Sequence, residues 1–201
     1  MSKKFAQLPA DIQETLATGA GIVLSEFSPD SPGEAEAIRQ KILFATSGGV
    51  NPVCVATITD WGEDVDNCPK NTKELAHVES WDCSISGTAI TVSESLLVSL
   101  LAAADSKDGA ITPRMKLKAE DFKTLWYVCP YGSDGGFIAI KLENALSANG
   151  LSLQAADNAK GQWAFNYAGH TSINDPEKVP MTFYVKSSAA AAAAQVEPTV
   201  E

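Results

Sequence analysis

The chain has 201 residues, 45% hydrophobic and 20% charged, a balance that excludes a disordered polymer and leaves room for the core of one domain. Its formal charge of −10, with only 15 Lys and Arg, excludes ordinary nucleic-acid binding, because an acidic surface repels the phosphates it would have to neutralise.

In chain order, the start Met1-Ser2-Lys3-Lys4-Phe5-Ala6-Gln7-Leu8-Pro9 has two lysines but no apolar segment behind them, and no apolar run approaches membrane-spanning length. The expectation is a chain made in a cytosol with no signal or anchor of its own. Residues 1–19 read as an arm, 20–186 as one β domain and 187–201 as a flexible Ala-rich tail. Within the domain, alternating or β-branched residues predict strands over Gly21 to Phe27, Ile42 to Thr46, Val53 to Thr59, Trp81 to Ile90, Thr124 to Val128 and Phe137 to Leu142. Three more follow over Leu151 to Gln154, Gln162 to Tyr167 and Met181 to Val185. Nine short strands separated by Gly, Pro, Asn and Asp predict a mainly β fold, a sandwich or partly closed barrel. Turns are expected at Ser47-Gly48-Gly49, at Gly132 to Gly136 and at Ala148-Asn149-Gly150. One flanking α-helix is expected at about 92–104, opened by a Thr91/Glu94 capping box and carrying an apolar stripe of Leu96, Leu97, Leu100 and Leu101. A second short helix can form over Pro32 to Ile38.

Cys54, Cys68, Cys83 and Cys129 contain no Cys-x-x-Cys pair and are read as reduced thiols rather than a zinc site or disulfide framework. The only histidines, His77 and His170, are the available general bases, but no Gly-x-Ser-x-Gly elbow accompanies them, and no catalytic residue is assigned. The glycine clusters lack the Gly-Lys-Ser/Thr ending of a phosphate loop and lead toward strands. The most distinctive run is Asp60-Trp61-Gly62-Glu63-Asp64-Val65-Asp66-Asn67. Its oxygens at Asp60, Glu63, Asp64 and Asp66 suit calcium, although the EF-hand spacing counted from Asp64 meets Pro69 and Leu75 where Gly and Glu are required. The alternative preferred here is an intersubunit contact: Asp60, Glu63, Asp64, Asp66 and Asn67 meet a neighbour's cations, and Trp61 is the apolar anchor.

Taken together, Ala20-Gly21-Ile22-Val23-Leu24, Thr46-Ser47-Gly48-Gly49-Val50, DWGEDVDNCPKNTKEL from Asp60 to Leu75, Trp81, Phe122 and Trp126 resemble the major tail tube proteins of long non-contractile bacteriophage tails and related prophage particles. Leu142-Glu143-Asn144-Ala145-Leu146-Ser147, Gly169-His170 and Val179-Pro180-Met181 continue the likeness, which spans residues 20 to 186. The resemblance implies a structural virion protein, not an enzyme, with no cofactor. It also implies hexameric rings stacked into a hollow tube, built in the host cytoplasm beside tape measure, tail terminator and baseplate or initiator proteins. Such a ring would carry about −60, so DNA would pass through the lumen without sticking. The segments Met1 to Thr18 and Asp60 to Leu75 are the expected links between subunits. A calcium-holding β-sandwich binding module is the alternative.

Overall fold

Alternating side chains make strands here because one face of each strand has a core to meet. A computed structural model describes residues 12–132 and 135–187, leaving residues 1–11 of the expected arm and 188–201 of the expected tail outside the described residues. The elements in order are α1 (Ile12–Thr15), β1 (Ile22–Leu24), α2 (Ala35–Gln40), β2 (Ile42–Phe44), β3 (Thr46–Asp60), β4 (Ala76–Ala89), α3 (Glu94–Leu100), β5 (Ala104–Lys107) and β6 (Ala110–Pro113). Then come β7 (Lys123–Tyr131), β8 (Gly136–Ser147), β9 (Ser152–Gln154), β10 (Gln162–Ala168) and β11 (Met181–Lys186). The fold is mainly β, as the alternation predicts, and all nine predicted strands are present with shifted ends. No described helix is long and apolar enough to cross a membrane.

The main sheet runs β2-β1-β7-β8-β10-β4-β3, with β11 beside β8 and β9 beside β10, and every pairing in it is antiparallel. Its end strands β2 and β3 do not pair, so it is not closed into a barrel. It folds over at β8, where Phe137 to Leu142 pair with β11 while Leu146 and Ser147 pair with β10. Between those stretches Asn144 adopts φ 48° and the register against β7 slips, a kink that lets one strand serve both layers of a sandwich. The inner faces enclose Val23, Ile85, Leu125, Leu142, Phe165 and Tyr167, all buried. A smaller cluster of Leu24, Trp126 and Ala139 lies outside the β1/β7/β8 layer, covered by Phe27 and by Ile38 of α2.

Helix α3 is shorter than the expected 92–104, and its Leu96 and Leu100 enter the core. Its cap is Ser93, whose hydroxyl accepts from Leu96 N at 3.2 Å; Thr91, two residues too early, accepts from Ala45 N instead. The second short helix forms at Ala35–Gln40, slightly later than expected. The Ser47-Gly48-Gly49 run is not a turn. Gly48 and Gly49, at φ 78° and 87°, form a bulge inside β3, across which pairing with β4 jumps from Ser47/Thr88 to Val50/Gly87. The sequence reading also lacks the β5–β6 hairpin, closed by Asp108-Gly109 at φ 52° and 80°. Residues 16 to 20 lie along β7: Gly132 N donates to Leu16 O, and the Tyr127 hydroxyl donates to Ala20 O.

Candidate site: an uncovered β-arm

Strands β3 and β4 pair from Thr46/Ala89 out to Asp60/Ala76 and form one long hairpin. Residues directly opposite in such a ladder share a face, so Cys54/Cys83, Ala56/Trp81 and Ile58/Val78 continue the core-facing side of the sheet. A bulge between Thr57 and Ile58 leaves Glu79 as the extra residue and keeps Val78 on the face of Trp81. The sandwich stops covering that face beyond Cys83: residues 76 to 82 of β4 are all exposed, whereas Cys83, Ile85 and Ala89 are buried. The outer part of the hairpin therefore projects as a two-stranded arm, with Ile58 64% and Trp81 42% exposed on the core-side face and Val55 exposed on the other.

The arm ends in the acidic run singled out by sequence. Asp60 is not a free ligand: its Oδ1 accepts from Gly62 N at 2.8 Å and its Oδ2 from Asn71 N at 2.9 Å, which closes the tip loop. Gly62 packs closely: a Cβ there would lie 2.8 Å from Leu75 Cδ1 and 2.9 Å from the Cys68 sulfur, so a side chain would have to push both aside. Two tight turns follow, Val65 N to Gly62 O and Cys68 N to Val65 O, with Asn67 at φ 63°. They leave Glu63, Asp64 and Asp66 exposed and, among the described residues, unpaired. Trp61, 64% exposed, stacks on His77 with ring centroids 4.6 Å apart, and Val65 of the same loop is also exposed. The geometry does not favour calcium, since among the described residues no group of three or more His, Cys, Asp and Glu converges as a cation would need.

Both histidines border one groove of about 640 Å³, between His77 to Trp81 of the arm and the segment Gly169 to Pro180. Their chemistry differs. His170 accounts for the kink in β8: its Nδ1 lies 3.1 Å from Asn144 O, and Asn144 Nδ2 donates to His170 O at 3.0 Å. An Nδ1–H donating to that carbonyl clamps the bend. His77 serves as a platform for Trp61. Neither is hydrogen-bonded to a hydroxyl, thiol or carboxylate among the described residues. Across the groove Lys178 pairs with Glu143 at 2.6 Å, and Lys141 and Lys178 hold the Glu143 carboxyl below its usual range. The thiols are free, and Cys54 and Cys83 face each other at 2.7 Å.

Sequence reasoning singled out Trp61 and the acidic tip and placed Ile58 in the strand expected over Val53 to Thr59, but it missed Ala76 to Ser80, Val78 included, as strand. The bulge at Glu79 breaks the period-2 signal there. Compared with known protein families and curated proteins, the chain matches no family model and no curated protein.

Proposed function

We propose that this chain is a structural subunit that assembles with copies of itself, as the resemblance to phage tail tube proteins implies, into stacked hexameric rings around an acidic lumen wide enough for DNA. The observation that carries the reading is the arm. An isolated two-stranded hairpin is marginal in water, yet this one holds Val55, Ile58, Val78 and Trp81 in the open, on strands that are long and paired. Exposed apolar surface of that kind marks an interaction surface. Among the described residues, the sandwich offers further unpaired edges at β3 and at β11, where Phe183 and Val185 lie exposed. Long free edges persist in native proteins when they are covered by another element or chain.

Negative-stain electron microscopy across a concentration series, with light scattering for mass, tests the reading. Rings or hollow tubes are the expected result. A protein that stays monomeric at every concentration, and adds no mass when offered preformed tail tips, would overturn it.

A further inference from the structure

If the arm reaches another copy, a surface must receive it, and the far end of the same molecule carries one. Strand β4 runs from the arm tip to Ala89, a span of ~45 Å for its strand rise, and leads directly into α3 and the β5–β6 hairpin. Beside that hairpin, the segment Arg114-Met115-Lys116-Leu117-Lys118 is the densest run of cations in the chain. It presents Met115, which is 101% exposed, and Leu117, which is also exposed.

The two apolar side chains stand in solvent on a loop whose backbone is fixed by ion pairs and hydrogen bonds. The Arg114 guanidinium pairs with Asp105 at 3.0 Å, with Asp121, and with the carbonyl of Lys116, and the Arg114 backbone N–H donates to Ala103 O at 2.9 Å. Lys118 N donates to Asp121 Oδ2 at 2.7 Å, and the Lys118 amine reaches Asp105 at 3.0 Å. Arg114 and Lys118 are thus committed to building the loop. Lys107 and Lys116 are exposed, and their amines have no partner among the described residues. The result is a preorganised knob with an apolar tip, which costs little further ordering to dock; Asp105, Glu120 and Asp121 offset Arg114 and Lys118, so the positive charge it offers is that of the Lys107 and Lys116 amines.

The arm is its complement in both respects. From Val55 to Asp82 it carries seven carboxylates against two lysines, and its apolar side chains stand among them. We infer that the arm of one copy seats on the Arg114–Lys118 loop of the next, with Met115 and Leu117 against Ile58, Val78 and Trp81, and Lys107 and Lys116 facing Asp64 and Asp66. Because the two patches are different and lie at opposite ends of β4, the contact is head-to-tail and propagates. This inference rests on the self-assembly reading and names its contact.

The test is charge exchange in the full chain. D64K/D66K and K107E/K116E should each weaken self-association at low salt by about tenfold or more, while the four-residue exchange combining them recovers to within about threefold of wild type. A photo-crosslinking residue at Met115 should join to residues 58–81 of a second copy. Wild-type assembly that neither reversal weakens, or a crosslink that maps elsewhere, overturns this contact and leaves the self-assembly reading standing. Absence of any assembly by the wild type overturns both.

Discussion

The β3–β4 ladder is one continuous pairing whose two ends have different surroundings. From Thr46/Ala89 to Cys54/Cys83 it lies beside β10 and under the opposite layer, and the inner side chains of β4, Cys83, Ile85 and Ala89, are buried. From Val55/Asp82 to Asp60/Ala76 the antiparallel pairing continues through the bulge at Glu79, but residues 76 to 82 of β4 are exposed and the segment Gly169 to Pro180 only borders them across an open groove. Backbone pairing is common to both ends, so it cannot be what distinguishes them. The inner end is stabilised by burial, and the outer end exposes apolar groups that another surface would have to cover.

The contrast is broken most directly by removing what covers the inner end. Phe165 is almost fully buried and lies against Phe44, with ring centroids 4.9 Å apart, and against Gly87 of β4. Phe165→Ala should cost about 3–5 kcal/mol in chemical denaturation, as cavity formation in a core does. Trp81→Ser, on the same face of β4 but past the sandwich, should change monomer stability by no more than about 0.5 kcal/mol. Equal losses from the two would mean that the arm is folded as firmly as the core and needs no partner.

Gly87 sharpens the same point by addition. A Cβ there would meet the Phe165 ring at 2.8 Å and Gly49 O at 3.0 Å, so Gly87→Ala should destabilise by about 1–3 kcal/mol through overpacking. The close approach depends on the Gly48-Gly49 bulge, which brings the β3 backbone over Gly87. A neutral result would show that the aromatic ring can move away without loss.

How much of this contrast could be read in the sequence follows from the same physics. The inner strands announce themselves because burial on one face imposes alternation, as in Gln162-Trp163-Ala164-Phe165-Asn166-Tyr167, where every second residue is core. Helix α3 is legible from its leucines, though not from its cap: Thr91 and Ser93 both suit that role, and only the path of the chain decides. The outer end of β4 has no such pressure, and the bulge at Glu79 shifts its period. The tip was noticeable in the sequence because its carboxylates are close together. The Met115 loop was not, since two exposed apolar residues have no periodicity, although Asp108-Gly109 is a hairpin signal that composition alone offered.

The smallest expected effect locates the boundary between the two ends. Cys54 and Cys83 sit opposite each other at the last covered pair. Burial, reinforced by the hydrogen bond and charge of Cys54, pushes the Cys83 thiol up to about 12. At pH 8 its thiolate fraction is then on the order of one in ten thousand, so alkylation of the folded protein should modify half-buried Cys68 well before Cys83. Opening of the arm alone would not change that order, because Cys83 is shielded by the sandwich rather than by the arm. Cys83 reacting as fast as Cys68 would mean that opening runs past the Cys54/Cys83 pair, placing the limit of the stably folded ladder further inside, at Ile85. A slow Cys83 whose rate is unchanged in Trp81→Ser would fix the limit at the sulfur pair, with the arm free to open and close on its own.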